Sequence, residues 1–152
     1  MHGTRPKFDQ VNVVSGDPAA ALEFYRLLGI EIPDSHVWST GTGIHHVSAK
    51  QAADAEAPDF DIDSTAFAQV WNAGWRGRND LKGRVVIGFQ VPAREAVDAL
   101  YADLTSAGHP GLQPPYDAFW GARYAIIEDP DGIAVGVMSP ISPDRKSPPP
   151  NV

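Results

Sequence analysis

The stretch VNVVSGDPAAALEFYRLLG at residues 11–29 decides the fold, because its apolar pattern returns 76 positions later in residues 87–108, IGFQVPAREAVDALYADLTSAG. In each copy a strand-like alternation leads into a helix with apolar residues at positions i, i+3, i+4 and i+7. These helical residues are Ala21, Phe24, Tyr25 and Leu28 in the first copy and Val97, Leu100, Tyr101 and Leu104 in the second. A period of this length is too long for a solenoid repeat, so it predicts two copies of one strand–helix–strands unit.

The order of the predicted elements indicates an α/β (α+β) chain with two βαβββ modules that form a curved, partly open mixed sheet around a cavity. Residues 8–72 are the first module and residues 84–140 the second, and residues 73–83 are the linker between them. Residues 1–7 are predicted to be a flexible N-terminus. Residues 141–152 are Pro-rich and predicted to be a disordered tail, because they have little apolar surface to offset their ordering entropy. Removing this tail is therefore expected to leave the melting temperature nearly unchanged.

Local signals mark the ends of the predicted helices. Asp17 is a good N-cap and Pro18 suits the first helical turn, so the first long helix is predicted to begin there. Gly29 and Gly108 are predicted to end the two long helices, and Ser64 is predicted to cap a short helix over residues 65–71.

The composition limits the class of partner. The 152 residues carry a net charge of −7, from 12 basic and 19 acidic side chains, which argues against a nucleic acid or an anionic membrane. Cysteine is absent, so the chain has no disulfide, thiolate nucleophile or Cys-ligated zinc. No apolar run is long enough to span a membrane, and the N-terminus lacks the pattern of a signal peptide. We therefore expect a cytoplasmic protein.

Two motifs, FYRLLG at residues 24–29 and DPDG at residues 129–132, stand in this order about 100 residues apart. With SGDP at residues 15–18 and WGARY at residues 120–124, they resemble the vicinal oxygen chelate superfamily. That superfamily includes glyoxalase I, the bleomycin-resistance proteins and the extradiol dioxygenases. The resemblance covers roughly residues 8–140 and implies the fold described above, with a site for a small molecule.

The resemblance also implies where a metal ion would bind. In metal-dependent members, two strands of each module supply four ligands, and these positions fall on Gln10, Asp61, Val86 and Gly136. Valine and glycine have no side-chain donor, so at most one amide and one carboxylate oxygen would remain. Catalytic zinc sites normally keep three protein ligands, and comparable numbers hold other transition metals. The sequence therefore predicts no metal and no other cofactor.

A histidine pair and an acidic strand are the candidates for catalysis. His45 and His46 are adjacent on a predicted strand, so only one of them faces the cavity, and the sequence leaves open which. Asp59, Asp61 and Asp63 alternate on another strand, which is either a solvent-facing edge with Phe60 and Ile62 inward or a face that lines the cavity. His46 and Asp61 are the candidate catalytic bases.

Aromatic residues cluster before the last predicted hairpin, at Tyr116, Phe119, Trp120 and Tyr124. Planar ligands stack on such rings, and Trp120 is the predicted anchor because the adjacent Gly121 lets a ring approach the backbone. The predicted ligand-binding residues of both modules are Gln10, Asn12, Trp38, His46, Asp61, Trp120 and Tyr124.

The predicted function is metal-independent binding, or sequestration, of a small aromatic molecule in the manner of the bleomycin-resistance proteins, with antibiotic resistance as its setting. One alternative is a lyase, isomerase or oxygenase that uses a non-standard metal site or a His/Asp base. A second alternative is a protein-interaction or regulatory module with no small ligand. A homodimer is expected, because a two-module chain leaves sheet edges that need cover.

Overall fold

The computed structural model describes residues 10–49, 57–71 and 85–148. The chain divides into two compact units, Met1–Gly77 and Arg78–Val152, and each contains one four-stranded open sheet. The segments predicted as a flexible N-terminus, residues 1–7, and as a linker, residues 73–83, lie outside the described residues. None of the helices in the described ranges is long and apolar enough to cross a membrane.

The first unit is a βαβββ module followed by a short helix. Strand β1 pairs parallel to β4, and β4, β3 and β2 are antiparallel, in the order β1-β4-β3-β2. Its elements are β1 (Gln10–Ser15), α1 (Pro18–Leu27), a 3₁₀ turn (Asp34–His36), β2 (Val37–Thr40), β3 (Gly43–Ser48), β4 (Asp59–Ser64) and α2 (Thr65–Trp71).

Helix α1 begins and ends where the sequence predicts. The Asp17 carboxylate accepts a hydrogen bond from the Ala20 amide at 3.1 Å, and Gly29 has a φ of 103°, which favours glycine. The helix packs its apolar face on the sheet, and both contribute fully buried residues to one core: Ala21, Phe24 and Tyr25 from the helix and Val13, Val47 and Ile62 from the strands. Burial of this stripe, rather than helix propensity, holds α1 in place.

The second unit repeats the same plan. Strand β5 pairs parallel to β8, and the order is β5-β8-β7-β6. Its elements are β5 (Val86–Gln90), α3 (Arg94–Ser106), β6 (Gly111–Asp117), β7 (Arg123–Glu128) and β8 (Ala134–Met138). Helix α3 buries Val97 and Leu104, and the sheet contributes buried Ile127, Val135 and Val137. The predicted fold of two βαβββ modules with open mixed sheets is confirmed.

The segment from residue 141 differs from its prediction over the residues described. Residues 142–147 contact the loop between β6 and β7, where the Ser142 amide donates to the Gly121 carbonyl at 3.0 Å and the Ser147 amide to the Phe119 carbonyl at 2.9 Å. A 3₁₀ turn at Pro143–Arg145 separates these bonds. Proline-rich composition predicts disorder because such a segment satisfies few hydrogen bonds by itself, but here the partners come from a distant loop. Residues 149–152 lie outside the described ranges.

Candidate functional sites

The second module has a concavity of about 540 Å³. It is lined by Val86, Gly88, Phe89, Gln90, Trp120, Tyr124 and Met138. Val86, Gly88 and Gln90 alternate along β5 with the less exposed Ile87 and Phe89, so these three residues share the more exposed face of the sheet. The concavity is therefore a feature of the open face of this sheet.

Trp120 and Tyr124 form an aromatic wall of this concavity, and the rings of Tyr116 and Phe119 pack against Trp120. The Trp120 indole meets the ring of Tyr124 at 5.6 Å between centroids, the ring of Phe119 at 5.1 Å and that of Tyr116 at 6.3 Å, all in edge-on geometry. Its indole N–H donates to the Met138 sulfur at 3.4 Å. The structure thus brings together the aromatic cluster that the sequence predicts, including the candidate binding residues Trp120 and Tyr124.

An ion-pair network holds the loop that carries Trp120. Arg123 on β7 binds both carboxylate oxygens of Asp98 on α3, at 2.6 and 3.0 Å, and also contacts Asp117 at 3.1 Å. Arg94 on α3 pairs with Asp117 and donates to the Gly121 carbonyl at 3.4 Å. Hydrogen bonds from Arg123 lower the pKa of Asp98 and Asp117, and the positive charges of both arginines add to this effect. Both ends of the loop are therefore tied to α3.

Two glycines face each other at the floor of the concavity. Gly88 on β5 is the register partner of Gly136 on β8. No atom lies within 4 Å of a Cβ built at Gly88, whereas a Cβ at Gly136 would lie 2.6 Å from the Tyr124 hydroxyl oxygen. The space above Gly88 is open, and the space above Gly136 is filled by the tyrosine ring.

The Tyr124 hydroxyl is a neutral hydrogen-bond donor. Burial raises the pKa of Tyr124 above its ordinary value, and the nearby Tyr116 adds to the shift. Within the part of the chain that the structure describes, this hydroxyl has no hydrogen-bond partner. It can therefore donate to an acceptor atom of a ligand in the concavity.

The first module has a chain of hydrogen-bonded polar side chains across one face of its sheet, from β1 through β4 to β3. The Gln10 amide donates to Asn12 at 2.8 Å, and the Asn12 amide donates to the Asp63 carboxylate at 2.8 Å. The other Asp63 oxygen contacts His46 Nδ1 at 2.5 Å, and His46 Nε2 contacts the Ser48 hydroxyl at 3.0 Å. Three predicted binding residues, Gln10, Asn12 and His46, therefore meet in one network.

The acidic partner in this network is Asp63, and sequence reasoning did not single it out. Asp63 is 1% exposed, although Ile62 on the opposite face is also fully buried. Asp61, the predicted candidate base, is only half-buried and is the register partner of Ser48, two pairs along the ladder from His46. Strand β4 is thus covered on both faces at its C-terminal end, so neither of the two predicted orientations describes it fully.

Trp38 and Phe67 form an aromatic edge beside the two histidines, and the Trp38 ring meets the His45 ring at 5.3 Å. Trp38 is the register partner of His46 and is 49% exposed. The Phe67 ring on α2 meets the His46 ring at 5.8 Å and the Trp38 ring at 5.3 Å. His45 lies on the other face of β3, where its ring nitrogens contact the hydroxyls of Ser64, Thr40 and Thr42 at 2.8–3.0 Å.

A family model described as the Glyoxalase/Bleomycin resistance protein/Dioxygenase superfamily matches residues 7–137 of this chain. The chain belongs to that superfamily. The resemblance seen in the FYRLLG and DPDG motifs is therefore confirmed.

Solved structures of this superfamily share the fold. A glyoxalase/bleomycin resistance protein/dioxygenase from Nocardioides is 16% identical with a TM-score of 0.67, and the match covers 99% of this chain and 91% of that one. A glyoxalase-related enzyme from Fulvimarina pelagi is 19% identical with a TM-score of 0.68, covering 91% and 94%. A lactoylglutathione lyase from Agrobacterium tumefaciens is 17% identical with a TM-score of 0.60, covering 90% and 96%. A comparison with functionally curated proteins gave no match.

The residues that the resemblance places at the superfamily's metal-ligand positions are a poor fit for a divalent ion. Val86 has no donor atom, and at Gly136 the Tyr124 ring fills the space that a ligand side chain would need. In the first module the Gln10 amide donates through Nε2 to Asn12, so its oxygen and the carboxylate of half-buried Asp61 are the two possible donors at these positions. The described ranges hold no group of three or more His, Cys, Asp or Glu side chains that could bind a metal. Catalytic metal sites normally have about three such donors, so these positions favour the metal-free alternative, which stays a prediction.

Proposed function

We propose that this superfamily member binds a flat, largely apolar organic molecule in the concavity of its second module, without a metal ion. The observation that carries the proposal is the wall formed by Trp120 and Tyr124 beside the open floor at Gly88. A volume of about 540 Å³ is within the usual range for small-molecule sites.

The chemistry of the wall favours an aromatic ligand. Each stacked or edge-on ring contact contributes about 0.5–1.5 kcal/mol beyond its buried area. Two side chains of this wall, Trp120 and Tyr124, can make such contacts. Gln90 and the Tyr124 hydroxyl supply a few polar groups that would orient the ligand. Sequestration needs a fitted pocket and no catalytic group, so binding in the manner of a bleomycin-resistance protein is consistent with these residues.

A dye titration with pocket variants tests this proposal. Nile red, a neutral planar dye whose emission increases in apolar surroundings, is titrated into the wild type, Trp120→Ala and Gly88→Leu. Trp120→Ala is expected to weaken binding by about 1–3 kcal/mol, as for a stacked anchor in a pocket. Gly88→Leu is expected to abolish binding, because its side chain enters the open space above the floor without meeting protein atoms within 4 Å of Cβ.

Gly41→Leu is the matched control, because a Cβ built at Gly41 also has no neighbour within 4 Å but lies in the first module. Its dye affinity should equal that of the wild type. The titration is repeated after treatment with a strong chelator, with elemental analysis of the same sample. Full affinity in Gly88→Leu, or binding that needs added zinc, nickel, iron or manganese, would show that the proposal is wrong.

A further inference from the structure

The first module contains a buried carboxylate, that of Asp63. This group has no role in the ligand binding that we propose for the second module. A carboxylate at 1% exposure loses several kcal/mol of hydration unless it is paired and hydrogen-bonded. Here each oxygen has one partner, Asn12 Nδ2 at 2.8 Å and His46 Nδ1 at 2.5 Å. The carboxylate is thus held in place from two neighbouring strands and cannot turn away from the imidazole.

This contact decides where the proton of His46 lies. An ionised carboxylate only accepts hydrogen bonds, so Nδ1 carries the proton. In the neutral ring, Nε2 then has the lone pair and accepts a hydrogen bond from the Ser48 hydroxyl at 3.0 Å. The His46 side chain is 31% exposed, so the basic nitrogen belongs to a ring that solvent reaches. A base fixed by a buried carboxylate is the arrangement that orients catalytic histidines.

The neighbouring histidine lacks this arrangement. The hydrogen-bond partners of the His45 ring nitrogens are hydroxyl groups, which both donate and accept, so these partners do not impose one tautomer. Of the two adjacent imidazoles, only His46 is bonded to a carboxylate, and their aromatic neighbours differ as well, with Phe67 beside His46 and Trp38 beside His45. His45 serves as an internal control for His46.

We propose that His46 is a general base and that Asp63 is its positioning residue, acting on a neutral or cationic organic substrate that packs against Phe67. The substrate's proton passes to Nε2, displacing the Ser48 hydroxyl, and the bonding electron pair stays on the substrate. The resulting imidazolium is stabilised by the Asp63 carboxylate and later returns its proton to product or water. Asp59, Asp61 and Asp63 share one face of β4, which disfavours an anionic substrate there.

Kemp elimination of 5-nitrobenzisoxazole tests the base directly. The base takes the ring C–H proton, the electron pair forms a nitrile, the N–O bond breaks, and a coloured nitrophenolate is released. The probe is flat and neutral, needs no metal or oxyanion hole, and spreads its developing charge over the nitro-substituted ring. A positioned general base contributes about 10²–10⁴-fold. The wild-type kcat/KM is therefore expected to exceed the rate constant of free imidazole at least about 100-fold.

Three variants test which residues are responsible for the Kemp elimination rate. His46→Gln should return it to the background, and His45→Gln should leave it within about twofold of the wild type. Asp63→Asn should lower kcat at least about 10-fold with little change in KM, because an amide no longer imposes the tautomer. A wild type no faster than imidazole, a fast His46→Gln, or equal losses in the two histidine variants would overturn the proposal.

The tautomer is measured separately on the wild-type protein, which removes the question of whether a variant folds. Nitrogen-15 NMR of the imidazoles should show His46 with its proton on Nδ1 near neutral pH. A neutral His46 with its proton on Nε2 would contradict the role assigned to Asp63.

Discussion

Gly136→Ala is expected to destabilise the protein, whereas Gly88→Ala, its register partner across the β5–β8 ladder, is not. A methyl group at position 136 would lie 2.6 Å from the Tyr124 hydroxyl oxygen and 3.0 and 3.2 Å from two carbons of the ring. The ring cannot move freely, because it packs edge-on against Trp120 and Tyr116. Inserting a methyl group into such a site costs about 1–3 kcal/mol.

The expected change in melting temperature follows from the size of the protein. For a domain of this length, 1 kcal/mol corresponds to about 2–4 °C, so Gly136→Ala should melt about 2–12 °C below the wild type. Gly88→Ala meets no atom within 4 Å, and a Gly→Ala change at a compatible site stabilises by about 0.4–1 kcal/mol through the unfolded state.

A double-mutant cycle identifies the cause. Tyr124→Phe removes the nearest contact, the hydroxyl oxygen, and leaves the two ring carbons. The cost of Gly136→Ala should therefore be smaller by at least about 0.5 kcal/mol in the Tyr124→Phe background, as measured by urea denaturation. Equal stability of the Gly136→Ala and Gly88→Ala proteins, or costs that simply add in the cycle, would refute the reasoning.

Four further outcomes are expected. Asp63→Ala should lower the free energy of unfolding, measured in urea, by about 2–4 kcal/mol, because Asn12 and His46 lose their shared partner. Asp61→Ala should cost far less, because Asp61 is only half-buried, and equal losses would contradict this expectation. The stability difference between the wild type and Arg123→Gln should be largest above about pH 4 and shrink in acid. The reason is that Asp98 and Asp117 have a lowered pKa in the folded state, and their stabilisation is lost as the pH falls through that pKa. A difference that does not change with pH would contradict a stabilising role of the ion pairs with Arg123. Truncation after Ile141 removes two hydrogen bonds of about 1 kcal/mol each and should lower the melting temperature by about 4–8 °C, and a change below 1 °C would restore the prediction of a dispensable tail. A homodimer is expected from the sheet edges, and sedimentation of a single species near 16.3 kDa at micromolar concentration would rule it out.

The parts of the fold that could be predicted from sequence depend on local signals or on the internal repeat. Asp17 caps α1, Ser64 caps α2 through a 3.1 Å bond to the Phe67 amide, and Gly29 and Gly108 follow the long helices with positive φ. Each of these signals acts over a few residues, so the chain carries it without tertiary context. The aromatic cluster was also visible, because its members lie within nine positions of each other.

The rest depends on contacts between residues far apart in the chain. The alternation along β4 does not distinguish Asp63 from Asp59 and Asp61. Asp63 differs from them in its bonds to Asn12, 51 residues away, and His46, 17 residues away. The space above Gly136 is likewise filled by a ring from a different strand. Composition could not predict the contacts of residues 142–147, because their partners belong to the loop at residues 119–121.

The tyrosine over Gly136 also restricts how this sequence could change during evolution. A path from this chain to a metal-binding relative needs a donor at position 136, but Gly136→Glu would have to displace the Tyr124 ring and the Trp120 indole that packs on it. Val86 would have to change as well, and no single one of these substitutions gives a working metal site. The substitution at position 136 would disturb the aromatic wall before a complete ligand set exists. A metal-binding form of this pocket would therefore need several coordinated mutations, which makes the change by single steps unfavourable.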